Sequence, residues 1–204
     1  MINRNRNIAL LIEQAVNVVD ALNTSIRLTD EEQSFICDHF ERIELNKNDF
    51  LTKKGSVENY IYFIESGILR YWESSMDNEK EITFGFSFSG EFAHSYLSLK
   101  NRTPSVFNIQ SLCNSVVWRL DGSSLAFLYK TSLNVNRIMR VVFEDCITKK
   151  IVRELNLLKY TPEERYVNLT KMNRDMLQII PLKYIASYIG ITPQALSCIR
   201  KRIS

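Results

Sequence analysis

Apolar residues in this chain change their period twice. From Ile8 to Leu22 they fall at Ile8, Leu11, Ile12, Ala15, Val18, Val19 and Leu22, the spacing of one helical face. Between Glu41 and Leu120 they gather into short runs instead: ERIEL (41–45), DFLTKK (49–54), YIYFIES (60–66), ILRYWES (68–74), EITFGFS (81–87), SVFNIQSL (105–112) and SVVWRL (115–120). Turn signals divide these runs at Asn46-Lys47-Asn48, Gly55, Ser66-Gly67, Asp77-Asn78, Ser89-Gly90 and Cys113-Asn114. Many short strands separated by turns predict an antiparallel sandwich or jelly roll. Helical spacing returns after Asp121-Gly122-Ser123-Ser124, so the chain reads as α+β, a β-roll with flanking helices.

Helix boundaries are also legible. Thr29 with Glu32 forms a capping box that opens a second helix, running to about Glu41. Ser66-Gly67 predicts a tight turn, with Gly67 at positive φ. Leu133 to Lys159 predicts one helix of roughly 40 Å, at about 1.5 Å per residue. It carries two apolar stripes. Val135, Ile138, Met139, Val142 and Cys146 lie on one side; Phe143, Ile147, Ile151, Leu155 and Leu158 lie roughly opposite. A helix with a solvent face needs one stripe. Two stripes predict packing on its own domain and on a second copy of the chain, or burial between two domains. Thr161-Pro162-Glu163-Glu164 opens another helix, to about Met172, and Arg174 to Ile180 reads as a short helix or loop.

The segment Pro181–Ser204 has the spacing of two short helices that meet steeply. Ile185 and Ile189 share a helical face, Leu196 and Ile199 form the facing stripe, and Ala186 allows close approach. Gly190 suits the left-handed end of the first helix. Thr192 and Pro193 suit the N-cap and first position of the second, and Pro181 opens the first helix in the same way. The outward residues are then Gln194, Ala195, Ser197, Cys198, Arg200 and Lys201. Gln pairs with adenine, Ser bonds either groove edge, and Ala touches a thymine methyl. Lys183, Arg200, Lys201 and Arg202 give this segment four cations and no acid. Without them the formal net charge of +3 falls to −1 for residues 1–180. Positive charge therefore collects where double-stranded DNA would be met. The alternative is an amphipathic helix pair that closes a core.

Composition narrows the classes further. Of 204 residues 45% are hydrophobic, enough for real cores, and six Gly with four Pro argue against disorder. There is no apolar run of membrane-spanning length, and Met1–Arg6 leads into a polar, amphipathic stretch rather than a signal peptide. Cys37, Cys113, Cys146 and Cys198 form no CxxC pair, and His39 and His94 stand apart, so no metal or other cofactor is expected. All of this fits a cytoplasmic protein. No metal constellation, phosphate-cradling glycine loop or Ser/His/Asp set points to an enzyme.

The order of helices, β-roll, long helix and terminal helix pair resembles the Crp/Fnr superfamily of transcription regulators. The resemblance covers essentially the whole chain. It is carried by segments 62–72 (YFIESGILRYW), 90–92 (GEF), 161–166 (TPEERY) and 181–203 (PLKYIASYIGITPQALSCIRKRI). The last two resemble the branch common in Bacteroidetes. The resemblance implies three units: N-terminal helices with a cyclic-nucleotide-binding-like roll at 1–132, a homodimerisation helix at 133–159, and a helix-turn-helix domain at 160–204. The family's closing β-wing is absent from the chain or comes from Arg174 to Pro181. Related recognition helices often carry Arg where Cys198 stands, so the operator is expected to differ, or affinity to lean on Arg200, Lys201 and Arg202.

Nucleotide-binding members resemble this chain less closely at the pocket. After a Gly-Asp/Glu pair they carry a Glu for the ribose, and about ten residues later an Arg for the cyclic phosphate. Alignment on Gly90-Glu91-Phe92 places Ser95 at the Glu, Pro104 or Ser105 at the Arg, and His94 at a Gly. Arg102 falls early, at a loop tip. A buried phosphate without its Arg costs about several kcal/mol, so tight binding of cyclic AMP or cyclic GMP is not expected. Gly90, Glu91, His94, Ser95, Tyr96, Ser105 and Asn108 are the candidates for a small polar effector pocket; the alternative is a roll filled by its own side chains. The cysteine cluster of the iron–sulfur branch is missing. The resemblance thus implies a homodimeric DNA-binding regulator whose small-molecule effector, if any, is not cyclic AMP. The competing expectation is a ligand-sensing roll with weak or lost DNA binding.

Overall fold

Where the apolar period changes, the backbone changes with it. A computed structural model describes residues 7–20, 25–75 and 80–203, without the side chains of 172–177. Met1–Arg6, Leu22 and the Asp77-Asn78 turn signal lie outside the described residues.

Helix α1 (Ile8–Val19) is capped by the Asn7 side chain, which accepts from the Ala9 amide at 3.0 Å. Helix α2 (Asp30–His39) has the expected reciprocal capping box between Thr29 and Glu32. It ends at His39 rather than near Glu41, because Phe40 is already extended and Glu41 pairs with Arg119. The strands follow: β1 (Glu41–Leu45), β2 (Phe50–Thr52), β3 (Tyr60–Ser66), β4 (Ile68–Ser74), β5 (Glu81–Phe88) and β6 (Phe92–Ala93). Helix α3 (Tyr96–Asn101) separates them from β7 (Asn108–Ser111) and β8 (Ser115–Asp121). The strands form two four-stranded antiparallel sheets, ordered β1-β8-β3-β6 and β2-β7-β4-β5. This is the jelly roll the alternating runs predict.

Gly67 works differently from a hairpin turn. β3 pairs with β6 and β8, whereas β4 pairs with β5 and β7, so Gly67 passes the chain from one sheet to the other. Its φ is +118°, and a Cβ there would sit 2.0 Å from Ser115 Oγ, which restricts the position to glycine.

Helix α4 (Gly122–Thr131) leads into α5 (Leu133–Lys159), whose N-cap Ser132 accepts from the Val135 amide at 2.9 Å. The two stripes of α5 have different fates. Val135, Ile138, Met139 and Val142 are buried with α1, α2, α4 and the roll. Ile147, Ile151, Leu155 and Leu158 are exposed.

Helix α6 (Pro162–Leu177) opens on the expected Thr161–Glu164 box. It continues past Met172 through Arg174 to Leu177, so a wing strand over Arg174 to Pro181 is not formed: 174–177 are helix and 178–180 are turn. The chain closes with α7 (Leu182–Tyr188) and α8 (Pro193–Ile203). Pro181 is the N-cap of α7 rather than its first residue. No helix among the described residues is long and apolar enough to cross a membrane.

Candidate nucleic-acid interface and effector region

The last two helices meet as their spacing requires. Gly190 has φ +76°, and the Ile191 amide donates to the Ala186 carbonyl at 2.9 Å, closing α7. Thr192 Oγ1 accepts from the Ala195 amide at 3.2 Å, so the hydroxyl of this DNA-contact candidate is engaged as a cap. Leu196 and Ile199 are buried, and they fix which way α8 faces. Gln194, Ala195, Ser197, Cys198, Arg200, Lys201 and Arg202 are all exposed, as is Lys183 on α7. Ser197 Oγ donates back to the Pro193 carbonyl at 3.0 Å. Lys183 Nζ lies 4.9 Å from the Tyr184 ring centroid. Arg202 is engaged too: its Nη2 lies 3.1 Å from Glu163 Oε2 on α6. An open groove of about 490 Å³ runs between the start of α6 and α8, beside Pro162, Glu163, Ala195 and Cys198.

The terminal helix pair does not stand apart from the roll. Ile180, Ile185, Ala186, Ile189 and Leu196 share one apolar cluster with Ile68 and Leu112 of the roll, and Phe86 and Phe88 pack on it. Arg70 on β4, fully buried, reaches across to Tyr184, whose ring centroid is 3.5 Å from its Cζ. Burial pulls this guanidinium below its ordinary pKa, while Glu81 opposes the shift. Sequence reasoning did not single out Arg70 or Tyr184. The only hint was a cation inside the apolar run ILRYWES.

The candidate effector residues fall into separate environments. Gly90 turns the chain at φ +85°. Glu91 accepts from the Phe88 amide and pairs with Lys149 of α5 at 2.6 Å. Burial opposes charge on that Lys149, but Glu91 and Asp145 outweigh it and raise its pKa. His94 stacks edge-on with Tyr96 and lies against Phe143 of α5, at centroid distances of 5.6 and 5.7 Å. Burial, with Lys150 nearby, pushes His94 down to about 4, and neither ring nitrogen has a hydrogen-bond partner among the described residues. Ser95 and Ser105 do come together: their hydroxyls are 2.9 Å apart, both residues are buried, and Ser105 Oγ donates to the Phe107 carbonyl. Asn108 Oδ1 accepts from the Lys54 amide at 2.9 Å. Arg102, in the left-handed region at φ +56°, turns away to the Glu58 carbonyl and Asn59 Oδ1. A cavity of about 20 Å³ lies elsewhere, among Ile12, Phe40, Leu125 and Met139, and its lining is apolar. Among the described residues no group of three or more His, Cys, Asp or Glu could hold a metal.

Residues 42–132 match the cyclic nucleotide-binding domain family. No curated protein matches the chain in sequence. Among solved structures it is similar to FixK2 from Bradyrhizobium japonicum, with TM-score 0.69 and 17% identity over 80% of this chain and 84% of that one. It is similar to CLP of Xanthomonas campestris, described as a c-di-GMP responsive global regulator, with TM-score 0.66 and 15% identity over 83% and 89%. A transcriptional regulator of the Crp/Fnr family from Eubacterium rectale gives TM-score 0.66 and 14% identity over 86% and 83%. At these identities the likeness is one of fold. Residues 42–132 therefore match a cyclic nucleotide-binding domain, and the chain shares its fold with solved structures that include a regulator of the Crp/Fnr family.

Proposed function

We propose that this chain is a sequence-specific DNA-binding transcription regulator that acts in the cytoplasm as a homodimer. The observation that carries this reading is the outward face of α8. Gln194, Ala195, Ser197 and Cys198 are exposed there, ahead of the basic turn Arg200-Lys201-Arg202, while Leu196 and Ile199 anchor the opposite face. A helix so anchored can enter a major groove, with its cations on the phosphates. Residues 1–132 form the sensing unit, 133–159 the dimer contact and 160–204 the reader. Segments 161–166 and 181–203 support the Bacteroidetes-type branch. Any effector is a small molecule other than cyclic AMP, because Ser95 stands where the resemblance calls for a carboxylate and Pro104 or Ser105 where it calls for a guanidinium.

Binding to duplexes selected from a random pool tests the reading. The full chain is expected to prefer paired half-sites about one helical turn apart. Gln194→Ala should flatten base preference. Lys201→Ala should weaken all sequences alike and reduce the salt slope by about one. A chain that binds every duplex equally, yet is stabilised by metabolites, would favour a ligand-sensing module instead.

A further inference from the structure

We propose that Arg70, Tyr184 and Ser187 are positioning residues for DNA reading, which lock α7, and through it α8, to the edge of the roll. This rests on the DNA-reading function proposed above. β5 is the last strand of its sheet. An edge strand carries backbone groups with no strand to meet them. Here a side chain from the reader meets them: the Thr83 amide donates to Ser187 Oγ at 2.8 Å, and Ser187 Oγ donates to the Glu81 carbonyl at 3.1 Å. The reader helix thus stands where a neighbouring strand would.

Arg70 holds the same two residues from within the sheet. Its Nε donates to Thr83 Oγ1 and its Nη1 to Glu81 Oε2, both at 2.8 Å. That fixes the guanidinium plane under the Tyr184 ring, 3.5 Å away, with Trp72 also near at 5.1 Å. Arg suits this role because one planar group can hydrogen-bond along its edge and stack on its face. A third tie comes from α5. Arg153 Nη2 donates to the Tyr188 carbonyl at 3.1 Å, and its Cζ lies 4.9 Å from the Tyr188 ring. So α7 is held between the roll and α5, and α8 follows it through the shared core of Ile185 and Leu196. In a dimer the separation of two recognition helices is then set by the rolls and α5, not by a free hinge.

The test uses the full chain with two duplexes, one carrying the selected pair of half-sites and one a single half-site. Tyr184→Leu and Ser187→Ala are each expected to lose at least about tenfold in affinity for the paired site, because simultaneous engagement needs fixed geometry. They should also accept a wider range of half-site spacings, while binding the single half-site as the wild type does. Tyr184→Phe, which keeps the stack, should behave as wild type on both. Amide exchange at Thr83, read without DNA, should be slow in the wild type and fast in Ser187→Ala. Equal loss on both duplexes, no loss on either, or fast Thr83 exchange in the wild type would each overturn the proposal. A wild type that prefers no duplex sinks the DNA reading itself and the positioning role with it; Thr83 exchange tells that case apart, since it reports the lock alone.

Discussion

Ser95 Oγ and Ser105 Oγ lie 2.9 Å apart inside the roll, and Ser105 passes its hydrogen to the Phe107 carbonyl. Two neutral hydroxyls already bonded to protein offer no charge to a cyclic phosphate. Burying a phosphate without a guanidinium costs about several kcal/mol. Cyclic AMP and cyclic GMP are therefore expected to leave the unfolding midpoint unchanged in a thermal-shift titration. A rise of several degrees with either nucleotide would show that charge reaches the site from elsewhere.

Ile147, Ile151, Leu155 and Leu158 are spaced four, four and three apart and are 56%, 51%, 55% and 80% exposed in the single chain. In the proposed homodimer this stripe is the expected contact between the two copies. Ile151→Glu is expected to weaken self-association by about 3 kcal/mol, more than a hundredfold in the dissociation constant. Sedimentation at several concentrations checks this, with helical content measured alongside to show that α5 persists. A variant that remains dimeric at the same concentrations would move the seam off this stripe.

Glu163 holds Arg202 at 3.1 Å on the edge of the exposed face of α8. Both side chains are partly exposed, so the pair matters little for stability. It matters more for the proposed DNA contact, because Arg202 cannot neutralise a phosphate while it serves a carboxylate. Glu163→Gln is expected to tighten binding to any duplex and to steepen the plot of log affinity against log salt by about one. An unchanged slope would place Arg202 outside the phosphate contacts.

His94 gives a pH signature. An unfolded His titrates near about 6.5, whereas burial pushes this one down to about 4. Between those values the unfolded chain binds the proton and the folded chain does not. Stability from the neutral ring is therefore complete above the unfolded value and is lost as pH falls toward the folded one, on the order of 3 kcal/mol. Urea unfolding at pH 7 and pH 5 should show roughly half of this drop, about 2 kcal/mol, and His94→Phe should make it smaller. An identical drop in the variant would assign the pH dependence to other groups.

The sequence alone determined what short-range physics governs. The Thr29–Glu32 and Thr161–Glu164 boxes, the positive φ of Gly190 and the Thr192 cap each involve residues within about one turn of each other, so local composition is enough to specify them. The same holds for the alternating runs of the roll and the stripes of α5, since a face is a matter of period. Even so, the capping box of α6 did not reveal where that helix ends, because nothing in Arg174–Leu177 breaks a helix. Only the tertiary structure decided which distant groups meet. Gly67 joins two sheets rather than two paired strands, Arg202 lands on Glu163, and Arg70 meets Tyr184 across more than a hundred residues of chain. These contacts depend on how the roll closes and where α7 docks. No local period encodes that, because the free energy that selects it is shared among residues far apart in sequence.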